Sequence, residues 1–179
     1  MAEFLWIFWS FSLLGWGLER LFAAVTRSPQ RRRRCLLLLP LCPVYGLGMA
    51  AVLALPPSLR SGWPLYLWGG LTATSVEYIY HWWGETFLSV SFWDYTGVFG
   101  NLRGRVCLPF SLAWGLLLFP AVYLVTPPVV ALADRVPVGV TWWLLLAFTA
   151  DAVCSLRFLA VTHDLEALRT VIWPVSADR

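Results

Sequence analysis

Long apolar blocks alternate with short polar interruptions along the chain, at about 4–26, 35–55, 63–83, 107–126 and 138–161. Each block approaches the roughly 20 apolar residues that a helix needs to cross a bilayer. The pattern predicts five transmembrane helices. The second block holds Pro40 and Pro43, so its first part is expected to kink or unwind. Pro120 predicts a kink in the fourth. The stretch ETFLSVSFWDYTGVFGNLRGRVCL between the third and fourth blocks is too polar at Asp94, Asn101, Arg103 and Arg105 to cross. It is also too aromatic for a free loop. An interfacial or re-entrant segment folded back on the bundle is expected there. The predicted class is therefore all-α: a polytopic integral membrane helix bundle forming one domain over 1–179, with a tail at 162–179.

Composition agrees with this reading. Hydrophobic residues make up 59% of the chain and charged residues 13%, about half the charge of an ordinary soluble domain. The first block could be taken for a signal peptide. Such a peptide carries positive charge before its apolar stretch, whereas here Glu3 precedes it and Arg27 and Arg31 to Arg34 follow. The segment is expected to stay as a helix. Many tryptophans, among them Trp63, Trp68, Trp82, Trp83, Trp142 and Trp143, fall near block ends, where interfacial anchoring accounts for them.

Arginine placement predicts orientation, because positive charge collects on the cytoplasmic side. Arg27 with Arg31 to Arg34, Arg103 with Arg105, and Arg169 with Arg179 share one side, nine in all, against Arg60 and Arg135 on the other. The expected arrangement is N-terminus outside and C-terminus in the cytoplasm of an inner or plasma membrane. The run Arg31, Arg32, Arg33 and Arg34 sets this topology and can also contact anionic lipid headgroups. Nucleic acid is not an expected partner.

Several function classes are excluded or disfavoured. The chain has no lysine, so it cannot carry the P-loop of an ATPase. Cys35, Cys42, Cys107 and Cys154 show no CxxC spacing, and neither a disulfide framework nor a zinc ribbon is indicated. No metal and no cofactor is expected.

Ionisable groups within membrane helices are costly and mark functional sites by default. Ser12, Gly15 and Glu19 share one helix face; Glu77 and His81 share another. Cys107, Ser111 and Gly115 form a third stripe, and Asp151 with Ser155 a fourth. Given the direction of each helix, Glu19, Cys42, Tyr45, Glu77, His81, Cys107 and Ser111 fall in the cytoplasmic half of the membrane. Asp151 lies nearer the middle. A shared polar cavity is expected, with Asp94, Asn101 and Arg105 of the connecting segment near it and with Asp94 and Arg105 as ion-pair partners for the groups inside the helices. The same groups could instead be buried pairs that only fix helix packing.

At these residues the chain resembles the small bacterial membrane proteins of the type IV, or CmpB-like, ABC-transporter permease family. The matching stretches are GWGLER around Glu19, PLCPVYGLG around Cys42, VEY at Glu77, FWDYTGVFGNLRGRVCL from Phe92 to Leu108, and FSLAWG ending at Gly115. Leu39 stands where similar proteins place a glycine before the proline. The resemblance implies a transporter-like subunit supplying only membrane helices. It also implies a separate ATP-hydrolysing partner docked near Glu85 to Arg105. Five helices are few for a complete pathway, so a homo-oligomer is expected. Two other functions compete. One is an intramembrane enzyme acting on a lipid or lipid-linked substrate, using Glu77, His81, Asp94 and Arg105. The other is a non-catalytic assembly or regulatory protein.

Overall fold

A computed structural model describes residues 2–26 and 35–170. The expected lipid contacts of Arg31, Arg32, Arg33 and Arg34 lie outside the described residues. Among the described residues there are six helices besides a single 3-10 turn at Pro57–Leu59, and no strand. They are α1 (Ala2–Thr26), α2 (Pro43–Leu53), α3 (residues 62–88), α4 (Leu108–Ala133), α5 (Val138–Thr162) and α6 (Leu165–Thr170). Among the described residues, α4 and α5 are long and apolar enough to cross a membrane. α1 matches α5 in length at 25 residues, but its tryptophans, serines and the Glu19–Arg20 pair make it less apolar.

The second apolar block is helical only over Pro43–Leu53, 11 residues, too short to cross alone. Residues 36–42 are irregular, and the proline positions account for this. Pro40 cannot donate, and Pro43 begins α2 where a missing N–H costs nothing. An irregular backbone within an apolar bundle needs partners for its polar groups. The Asp151 carboxylate supplies two, accepting from Leu38 N at 3.1 Å and Leu39 N at 2.9 Å. Ser155 Oγ donates to the same carboxylate at 2.9 Å. Cys42 N donates to Ser12 O at 2.9 Å, tying the segment to α1.

One expectation is corrected here: Cys35 and Cys42 form a disulfide, with Cα atoms 5.0 Å apart. Their spacing of seven matches no sequence motif. The unwound segment doubles back and brings the two together, which a continuous helix would not do.

α2 packs between α1 and α3, α3 against α4, and α1 also against the 126–133 end of α4. Pro120 does not break α4. A π-helical turn at Ala121–Val125 absorbs it, and Thr126 Oγ1 donates to Ala121 O at 2.8 Å.

The connection at 89–107 folds back on α3 and α4. Ser89 turns the chain with a left-handed φ of 56°. Phe92 and Trp93 then pack on Tyr80, with the Trp93 ring stacked 6.3 Å away at 4°. Trp93 Nε1 donates to Arg105 O at 2.7 Å, and Tyr95 N to Gly104 O at 2.8 Å, closing the loop on itself. Gly104 has φ +70°, and a Cβ there would sit 2.9 Å from Asp94 Oδ1. Only glycine fits that turn.

Candidate functional site

Two adjoining cavities lie among α1, α2, α3, α4 and the 89–107 segment. The larger, about 640 Å³, runs along the Phe11–Leu21 part of α1 and the Trp114–Val125 part of α4, with Tyr45, Met49, Ala73 and Glu77 in its wall. The smaller, about 480 Å³, is lined by Glu19, Tyr45, Asp94, Tyr95, Phe110 and Trp114 among others. Leu18, Tyr45, Trp114 and Leu117 border both.

Among the described residues Glu77 is the most deeply placed carboxylate, 2% exposed. It stands one helical position before Tyr78 on the face of α3 turned toward α4. Tyr95 Oη donates to its Oε1 at 3.1 Å and Trp114 Nε1 to its Oε2 at 2.8 Å. Three elements thus converge on one side chain. Tyr45 Oη donates to Glu19, and the Tyr45 ring meets Trp114 edge-on at 5.4 Å. Tyr95 stacks on Phe110 at 5.1 Å. The wall between the cavities is therefore an aromatic frame holding two carboxylates in place.

Asp94 lines the smaller cavity. It accepts from Thr96 Oγ1 and from Thr96 N at 2.7 Å. These bonds hold its carboxyl below the usual carboxylate range.

A second polar group sits at the end of α3. Arg105 Nε donates to Glu85 Oε2 at 2.7 Å, its Nη1 to Tyr78 Oη at 2.8 Å, and its guanidinium lies over the Tyr78 ring. The Glu85 carboxylate raises the Arg105 pKa further. Arg105 is thus paired with Glu85, while Asp94 is engaged by Thr96. His81 Nε2 faces both Glu85 Oε1 at 3.1 Å and Ser91 Oγ at 3.3 Å. A nucleophile–base–carboxylate relay needs its two partners on opposite ring nitrogens. Both partners here meet the same one, so the arrangement fixes the ring rather than activating Ser91.

The remaining expected site residues lie elsewhere. Asn101 makes turn contacts, donating to Val98 O at 3.0 Å and accepting from Gly104 N at 3.2 Å. Cys107 is buried at the start of α4, and Ser111 Oγ donates to its carbonyl at 3.0 Å. Cys42 is held in the disulfide, and Asp151 latches residues 38 and 39. Glu19, Tyr45, Glu77 and Asp94 are the ones that border the cavities. Among the described residues no group of three or more His, Cys, Asp or Glu could hold a metal ion.

Sequence reasoning overlooked Tyr95, Trp114 and Glu85. Trp114 offered a signal. It lies well inside its apolar block, where interfacial anchoring does not explain it, and a buried indole N–H seeks an acceptor.

Together these features define a class: a protein whose described residues are helical, with two membrane-length apolar helices, α4 and α5, and aromatic, acid-lined cavities among α1 to α4 and the 89–107 segment. The chain belongs to the family described as "Putative ABC-transporter type IV", whose model matches residues 6–156. That range takes in most of α1, all of α2 to α4 and most of α5, including every residue that lines the two cavities. No curated protein and no solved structure matches the chain.

Proposed function

We propose that the chain is a multi-pass membrane subunit of a transporter. In this reading, five segments cross or enter the bilayer and the paired cavities carry or receive the substrate. The observation that bears this reading is the convergence of α1, α2, α3, α4 and the 89–107 segment on Glu19 and Glu77. Carboxylates such as the buried Glu77 and the half-buried Glu19 are costly within an apolar bundle, and the family supplies the transport context. The energy source would be a separate ATP-hydrolysing partner on the arginine-rich side, and copies of the chain would assemble to complete a pathway. Under mild detergent, tagged protein should co-purify with a P-loop ATPase, and the pair reconstituted in vesicles should move substrate only with ATP. Absence of any such ATPase from cross-linked, mildly extracted complexes would overturn the permease reading. The enzyme reading gains no comparable support, because His81 and Arg105 are tied to Glu85 outside the cavity walls.

The proposed orientation has its own test. It puts Cys35 and Cys42 on the cytoplasmic side, where disulfides are rarely kept. In acid-quenched cells the pair is therefore expected as two thiols that a maleimide reagent labels, closing to the disulfide on mild oxidation of membranes. A pair found already closed in quenched cells would place the arginine-rich side outside.

A further inference from the structure

The larger cavity has features that a closed polar chamber would lack. α1 packs on the 126–133 end of α4, while lower down the cavity separates them. Its mouth is edged by exposed apolar side chains: Leu13 (48%), Leu14 (51%), Leu18 (39%) and Leu21 (62%) on α1, and Leu117 (43%) on α4. In a membrane bundle, such a mouth faces hydrocarbon. The lining is apolar apart from its Glu77–Trp114–Tyr45 end. Water needs two to four polar partners to occupy a cavity, and most of this volume offers none. At about 640 Å³ it falls within the range of ligand pockets.

The glycines sharpen the point. Most packed glycines here leave no room: a Cβ on Gly115 would lie 2.8 Å from Tyr66, and one on Gly70 3.2 Å from the Gly115 backbone. Gly17 and Gly48, which both line the larger cavity, meet nothing within 4 Å. They serve no close helix contact. Their effect is to keep the slot wide, at a cost in helix stability relative to other residues.

We infer that this slot takes an acyl chain of a bilayer lipid or other membrane amphiphile, entering sideways between α1 and α4. The tail lies along Phe11, Leu14, Met49 and Leu118. The polar end reaches the smaller cavity past Tyr45 and Trp114. This inference rests on the membrane-subunit reading and names the substrate class for it: an amphiphile drawn from the membrane, rather than a solute drawn from water.

The test uses the full chain extracted from membranes in mild detergent, with a photoactivatable fatty acid fed to the cells as probe. Wild-type protein should retain co-purifying lipid by native mass spectrometry and cross-link within α1 or α4. Gly48→Leu and, independently, Gly17→Leu fill the slot from two different helices, and both favour helix formation. Each should lower cross-linking about tenfold or more while the far-ultraviolet dichroism and elution volume hold. Gly139→Leu, at a glycine of α5 that also meets nothing within 4 Å, should leave cross-linking unchanged. Wild-type levels of cross-linking in both folded slot variants would overturn the inference, as would folded wild-type protein free of lipid. Those outcomes leave the transporter reading standing. Conversely, retained lipid without any ATPase partner removes only the permease reading.

Discussion

Replacing Glu77 with alanine is expected to lower the thermal unfolding midpoint sharply and to cut abundance in the membrane. Two donors, Tyr95 Oη and Trp114 Nε1, lose their acceptor at a site 2% exposed. Each buried donor left unmade costs about 1–3 kcal/mol. Two such donors sum to about 2–6 kcal/mol; hydrogen-bond energies in membrane proteins run lower, near 0.6 kcal/mol on average, which puts the expected loss in the lower part of that span, at about 2–4 kcal/mol. Against a total stability of about 5–15 kcal/mol, that is a severe effect. Glu77→Gln keeps one acceptor oxygen and the side-chain volume, so it should recover about half the loss. The midpoint in detergent, measured for both variants, checks this. An alanine variant as stable as wild type would show that Glu77 does not join the 89–107 segment to α3 and α4. If Glu77→Gln is nearly as stable as wild type yet inactive in vesicles, the charge itself has a role in transport.

The polar stripes on α1 and α3 were legible in the sequence because period and residue type were enough to find them. Glu19 and Glu77 each sit on a narrow polar face, and both reach the cavity wall. Positions that depend on contacts distant along the chain were not legible. Tyr95 meets Glu77 only because Ser89 and Gly104 turn the connecting segment back. Arg105 could have met any of several acids, and its choice of Glu85 over Asp94 depends on that same turn. Asp151 resembled the other acids of the apolar blocks by every local measure. Its true partners are backbone N–H groups of a segment unwound by prolines more than a hundred residues earlier. Likewise, Cys35 and Cys42 could not be paired without knowing that the chain between them is not helical. The unwinding was expected from Pro40 and Pro43, but its consequences for the side chains were not drawn.

Asp151→Ala is the second change with a large expected effect, and its size should depend on the Cys35–Cys42 bond. The carboxylate satisfies Leu38 N and Leu39 N and receives Ser155 Oγ. Hydrogen bonds to charged groups are worth about 1.5–3 kcal/mol each. With the disulfide closed, however, the segment is held at both ends whether or not Asp151 is present. Closing so short a loop itself contributes about 2.5 kcal/mol on the chain-entropy account. Two latches on one segment are not independent: losing either leaves the other, and losing both leaves residues 36–42 held chiefly by the burial of Leu36 and Leu37. The start of α2 then loses its anchor at Cys42 N–Ser12 O, and Tyr45 moves with it, away from Glu19. A double-mutant cycle of Asp151→Ala with Cys35→Ser, read as unfolding midpoints in oxidised protein, should therefore show a coupling of about 1–2 kcal/mol, within the range for residues sharing one structural element. Simple additivity would mean that the disulfide and the carboxylate support different parts of the fold. Coupling that also lowers acyl cross-linking would tie the latch to the cavity through Tyr45.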